Sequence, residues 1–97
     1  MIVNYLAQAQ VDLIKIVEYY EQQRVGVGRE FRSEIEFVVQ RIQRDATSFP
    51  ILEGKLRFVV LKKFPYYVLF ECQSEREVLV VAIAHGSREP GYWRDRL

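Results

Sequence analysis

The chain has 97 residues, 49% of them apolar and 28% charged, with a formal net charge of +1. That is enough for one domain with one core over residues 1–97. It excludes a disordered tail, and the small charge argues neither for nor against a nucleic-acid partner. The longest apolar run, Val78 to Ala84, is far short of the roughly 18 residues of a bilayer span, so no membrane role is expected.

Cysteine usage and the N-terminus set the compartment. A lone cysteine rules out disulfide scaffolding, and no basic segment leads into an apolar one at the start, so the cytoplasm is the expected location. Residues 1–50 carry six Lys/Arg and seven Asp/Glu, net −1, whereas residues 51–97 carry eight and six, net +2. The basic surplus therefore falls on the second half.

Ile2 to Tyr5 is short, apolar and β-prone, and reads as a first strand. From Ala7 the period changes. Leu6, Leu13, Val17 and Tyr20 recur at i, i+7, i+11 and i+14 with Ala9 and Ile16 alongside, which predicts an amphipathic helix to about Arg24. Gln8, Asp12, Lys15, Glu18 and Gln22 make up its polar face, and Gly26 stops it. A second helix, from about Gly28 to Asp45, sets Phe31, Ile35, Val38 and Ile42 on one stripe. So short a connection predicts an antiparallel helical hairpin, and Pro50 ends it by forcing Phe49 out of helical geometry.

Leu56 to Leu61 is apolar and β-branched, with Arg57, Val59 and Leu61 on one face and Leu56, Phe58 and Val60 on the other. A tight turn near Lys62-Lys63-Phe64-Pro65 leads to a strand from Tyr67 to Cys72. Gln73-Ser74-Glu75-Arg76 is a polar hairpin turn into Glu77 to Ala84. That last strand lacks polar alternation, so both its faces are covered and its place is central. The expected fold is α+β: an N-terminal strand, then an antiparallel helical hairpin packed on a mainly antiparallel twisted sheet, in the order β-α-α-β-β-β.

The unusual chemistry sits where the last strand exits. Within His85-Gly86-Ser87-Arg88-Glu89-Pro90-Gly91-Tyr92-Trp93 lie the only histidine and the only tryptophan. Side chains able to bind phosphate, stack or move protons are seldom massed on a loop without a use. No glycine-rich loop followed by Lys-Ser/Thr supports nucleotide binding, and one histidine with one cysteine cannot form a structural zinc site, so no cofactor or metal is expected. Cys72 shares a strand face with Val68 and Phe70 and reads as a buried small hydrophobe.

His85 has two readings. One is a proton-transfer group beside a phosphate-holding Arg88 and a stacking Tyr92. The other, which the pattern favours, is a cap on the strand end through a backbone hydrogen bond. A single histidine excludes the imidazole pair of a metal-free ribonuclease. Arg57 joins Arg88 in a phosphate-gripping patch if its strand neighbours the last one, with Lys55 nearby; Lys62 and Lys63 read as solvated charge at a turn. Phe64 and Tyr66 lock that turn, and Trp93 pins the tail to the body.

Taken together, these residues resemble the RelE/ParE superfamily of bacterial type II toxins, in its ParE-like, plasmid-stabilization branch. The carrying features are Ala9-x-x-Asp12-Leu13-x-x-Ile16-x-x-Tyr19-Tyr20, Gly28-x-x-Phe31 and Ser48-Phe49-Pro50. They continue with Leu61-x-x-Phe64-Pro65-Tyr66-x-Val68-x-Phe70 and Val80-x-Ala82-x-x-His85-x-x-Arg88-x-Pro90-x-x-Trp93, in an order spanning about nine-tenths of the chain. The resemblance implies the same β-α-α-β-β-β fold and an antitoxin partner whose C-terminal segment wraps the helices and sheet, giving a toxin–antitoxin hetero-oligomer.

Two targets follow from the two branches. The RelE branch implies ribosome-dependent mRNA cleavage, with Arg57, His85, Arg88 and Tyr92 as the candidate catalytic set. That branch opens the strand before the last with Tyr-Arg, whereas here the pair is Tyr66-Tyr67, and losing a cation there removes charge stabilisation from the transition state. The ParE branch implies poisoning of DNA gyrase without a hydrolytic site, with Arg88, Tyr92, Trp93, Lys55 and Arg57 as target contacts. Phe64-Pro65-Tyr66 and the Arg-x-Pro-x-x-Trp ending are closer to that branch. Gyrase inhibition is thus the favoured expectation, mRNA cleavage the runner-up, and a non-toxic binding remnant the third.

Overall fold

A computed structural model describes residues 1–97. The chain runs β1 (Ile2–Tyr5), α1 (Ala7–Gln23), α2 (Val27–Asp45), β2 (Ile51–Glu53), β3 (Leu56–Val60), β4 (Tyr66–Cys72) and β5 (Glu77–His85). Short 3₁₀ segments follow α2 at Ala46–Ser48 and close the chain at Tyr92–Arg96. The five strands form one sheet in the order β1-β5-β4-β3-β2, with β1 parallel to β5 and every other pair antiparallel. The helical hairpin covers one face.

Strand β2 is an addition to the expected order. It pairs Ile51 with Arg57 and Glu53 with Leu56. Its turn to β3 passes through Gly54 at φ 55°, a left-handed conformation that glycine adopts without a Cβ clash. Three residues directly after a proline fall below the length at which alternation can be read.

The switch from strand to helix at the N-terminus rests on Leu6. Its N–H donates to Val80 O at 3.0 Å, the last rung of the parallel ladder, while its own C=O accepts from Ala9 and Gln10 and starts α1. Helix α2 begins one residue earlier than its apolar stripe suggests, because the Glu21 side chain accepts from the backbone N–H groups of Gly26 and Gly28, two of the donors a helix start leaves free. Phe31, Ile35, Val38 and Ile42 are all buried, as their spacing predicts.

The helix-side core joins these residues to Ala9 and Ile16 of α1 and to Val59, Val68, Phe70, Val78, Val80 and Ile83 of the sheet. Tyr20, Phe31, Phe64 and Tyr66 interlock where the β3–β4 turn meets the hairpin, with ring centroids 4.9 to 6.3 Å apart. A smaller core occupies the opposite face: Leu56, Leu69, Val81, Ala82, Ala84 and Trp93. Val81 and Ala82 lie on the same face because β5 shifts register between its pairs with Leu69 and Phe70, the mark of a β-bulge. Strand β5 is central and covered on both faces, as expected from its lack of polar alternation.

Packing of the hairpin depends on one glycine. A Cβ at Gly28 would lie 2.6 Å from the Val17 carbonyl oxygen of the facing helix, which is backbone and cannot swing away. Gly28→Ala is therefore expected to push the helices apart at a cost of about 1–3 kcal/mol, a Tm lowered by roughly 5–15 °C. Calorimetry of the two proteins checks this, and an unchanged Tm would show that the helix contact is looser than the structure has it.

Candidate functional site

Beyond Val80, β5 has no neighbour on its β1 side, since the chain has left the sheet at Leu6 to begin α1. That open edge is closed by side chains. Asp12, in the second turn of α1, accepts the Ile83 N–H at 3.1 Å. Arg96 donates to Val81 O at 3.1 Å and pairs with both Asp12 oxygens at 2.6 and 3.0 Å. The two side chains are only 13% and 14% exposed. Asp12 is thus not part of the polar face of α1; it is turned inward by a backbone donor and a guanidinium. Removing one partner of such a shielded pair strands a charge and costs on the order of 3–5 kcal/mol.

This clamp places the C-terminal segment on the sheet face that the helices leave uncovered, the second face. Tyr92 packs there, with the guanidinium of Arg88 3.6 Å and that of Arg96 5.5 Å from its ring centroid. Burial is the first cause that pushes the Tyr92 hydroxyl above the ordinary phenol pKa, followed by the Asp12 charge, with Arg88 and Arg96 opposing. Trp93 is 2% exposed, sealed against Leu56, Leu69, Val81, Ala82 and Ala84, and its indole N–H has no acceptor. Arg94 adds a bidentate bond to Glu53 of β2 at 2.8 and 3.0 Å. Gly91, at φ 87°, leaves the room that the Arg94 side chain takes.

The other candidate residues lie elsewhere. Arg57 is on the helix side of β3, donating to the carbonyls of Thr47 and Phe49 at 3.1 and 2.6 Å. The expectation of a shared patch with Arg88 fails for two reasons: β4 separates β3 from β5, and the two side chains serve opposite faces. Lys55 is exposed in the β2–β3 turn. The His85 Nδ1 accepts from the Ser87 N–H at 3.0 Å, and its ring sits edge-on to Tyr66, 4.9 Å away. Geometry at His85 is that of a strand cap. Trp93 is buried in the second-face core, where it pins the tail.

The Tyr66-Tyr67 pair divides between the faces. Tyr66 joins the helix-side aromatics and Tyr67 packs on the second face, where a Tyr-Arg pair would have placed its arginine. Four candidates for mRNA cleavage therefore split two and two: Arg57 and His85 toward the helix side, Arg88 and Tyr92 on the second face. No group of three or more His, Cys, Asp or Glu is arranged to hold a metal. What the second face offers is a preformed arginine–aromatic surface rather than converging acid and base.

Residue type does not single out Arg96 or the Glu53–Arg94 pair, and Asp12 stands in the sequence only as a polar-face residue and a member of the family motif. One signal for Asp12 existed: it stands three residues after Ala9 and four before Ile16, both buried, and so falls on the core stripe of α1.

A helical hairpin laid on a mixed five-stranded sheet, with an Arg-Tyr-Trp segment folded back over the free face, is the RelE/ParE-type toxin fold. The family model of the ParE toxin of the type II toxin–antitoxin system parDE matches residues 3–90, and the chain belongs to that family. A solved structure described as the chromosomal ParDE TA system from P. aeruginosa superposes with a TM-score of 0.76 at 19% identity, covering 88% of this chain and 95% of that one. At that identity the likeness speaks for the fold. No curated protein matches the sequence. No helix is long and apolar enough to cross a membrane.

Four half-buried phenols give the fold a pH signature. Tyr5, Tyr20, Tyr66 and Tyr92 are all raised above the ordinary value of 10.0, in each case chiefly by burial. The unfolded chain then loses these protons first, so the stability they contribute is present below about pH 10 and is lost as pH rises beyond it. Urea midpoints are expected to fall between about pH 8 and pH 11, and to fall less in Tyr66→Phe. Identical slopes in the two proteins would contradict the assignment.

Proposed function

We propose that this chain is a toxin that inhibits DNA gyrase through its second face, has no hydrolytic site of its own, and is held inactive in the cytoplasm by a cognate antitoxin. The observation that carries the reading is the division of the candidate catalytic residues between the two sheet faces, with Tyr67 where a transition-state cation would stand. Arg88 and Tyr92 remain together and present a cation and an aromatic surface, the residue types that dominate interface energetics.

Purified protein is expected to block supercoiling by gyrase, and Arg88→Ala to weaken inhibition by about tenfold or more, as loss of an anchoring arginine does. Unchanged supercoiling at micromolar protein would overturn the reading. New mRNA ends in a translation extract, abolished by Arg88→Ala, would instead support ribosome-dependent cleavage. Normal growth on expression without the neighbouring gene would point to a non-toxic binding remnant.

Support for the antitoxin comes from a groove of about 430 Å³ between α2 and the β3–β4 turn. Phe37 and Val60, 51% and 61% exposed, lie at its surface, and Arg29, Arg41, Lys62 and Lys63 line it. Of its two carboxylates, Glu34 is already occupied by the backbone N–H groups of Lys62 and Lys63. Strand β2 pairs no further along β3 than Arg57, so the edge at Val60 is open beside the groove. These features suit an acidic, apolar antitoxin segment. Phe37→Glu is expected to weaken binding of the product of the adjacent gene by roughly tenfold or more, read by calorimetry; unaltered affinity would place the antitoxin elsewhere.

A further inference from the structure

We propose that Asp12 and Arg96 are positioning residues for the Arg88 guanidinium, acting through the ring of Tyr92. This rests on the reading of Arg88 as a target contact. The side chain of Arg88 is exposed and stands on the loop after β5, and no hydrogen bond or salt bridge from it to another residue holds it. A free arginine there would sample many rotamers, and ordering it on binding would cost affinity.

What orders it is the Tyr92 ring at 3.6 Å. The Arg96 guanidinium lies 5.5 Å from the centroid of the same ring. Two guanidiniums about one phenol repel each other, and the arrangement holds only if the inner one is neutralised. Asp12 does this with both oxygens while also taking the Ile83 N–H, so Arg96 is fixed to α1 and β5 together. The charged and titratable groups about Tyr92 are thus Asp12, Arg88, Arg96, Tyr67 and Tyr66. The line of support runs from the first helix to the exposed arginine with no gap: Asp12 to Arg96, Arg96 to Tyr92, Tyr92 to Arg88.

Four substitutions distinguish positioning from plain stability. Asp12→Asn keeps shape and removes the charge that balances Arg96. Arg96→Lys keeps the charge and removes the two-pronged bond. Tyr92→Phe keeps the stacking ring and Tyr92→Leu removes it. All are compared at low temperature, after circular dichroism shows each folded.

The first readout is NMR of the free protein. In the wild type and in Tyr92→Phe, the Arg88 side-chain protons are expected upfield under the ring current of residue 92. They should return toward random-coil positions in Asp12→Asn and Tyr92→Leu, with Arg96→Lys between. Upfield Arg88 signals persisting in Asp12→Asn would overturn the proposal. Because no target is present, this arm decides positioning whether or not gyrase is the target.

The second readout is a double-mutant cycle in gyrase inhibition. Asp12→Asn is expected to weaken inhibition about tenfold in the wild-type background and hardly at all in Arg88→Ala, since residues acting through one group are not additive. Equal losses in both backgrounds would mean that Asp12 acts on the fold alone and would overturn the proposal. If the wild type itself leaves gyrase untouched, it is the functional reading that fails, and the NMR result stands on its own.

Discussion

The central constraint in this molecule is the half-open edge of β5. A chain that runs strand, then helix, must lift away from the sheet somewhere, and here it does so at Leu6, leaving the C-terminal half of β5 without a strand on that side. Buried backbone groups cannot be left unpaired without a cost of about 1–3 kcal/mol each. The remedy uses the first helix and the last residues of the chain: Asp12 satisfies the Ile83 donor, Arg96 the Val81 acceptor, and the two satisfy each other. The bulge at Val81 belongs to the same arrangement, since it lies where this side-chain pairing replaces the ladder.

From that one arrangement the division of the sheet into two faces follows. The helix side is closed by the hairpin and by an aromatic cluster that locks the β3–β4 turn. The second face is closed only by the folded-back tail, with Trp93 as its plug and Arg94 tied to Glu53 at the far end. An exposed Glu53–Arg94 pair contributes little stability, so the tail depends on Trp93 and Arg96. Arg88 faces outward there beside the half-buried Tyr92, with Arg94, Leu52 and Val60 exposed farther along the face. Arg57 is engaged by backbone carbonyls on the helix side and the His85 Nδ1 by the Ser87 N–H, away from Arg88 and Tyr92.

Local pattern carried most of the fold. The 3.6-residue period at Phe31, Ile35, Val38 and Ile42 located α2, and the unbroken apolar run of β5 announced its central place. Features that depend on pairing were not legible in the same way. Strand β2 is three residues long and exists only because β3 lies beside it. The opposite placement of Arg57 and Arg88 follows from strand order, which no local spacing encodes. Asp12 was readable in part, since it sits on the buried stripe between Ala9 and Ile16, but its partner lies 84 residues away and no period links them. For the candidate site, the tail residues stood out by type, while the clamp that holds them did not.

The central claim is that the second face, and not the helical hairpin, meets the target. Amide hydrogen exchange of this protein with and without DNA gyrase tests it most directly. Slowed exchange is expected over residues 86–96 when gyrase is bound, with the outward faces of α1 and α2 unchanged. Protection confined to the helices, with the tail exchanging as in the free protein, would contradict it.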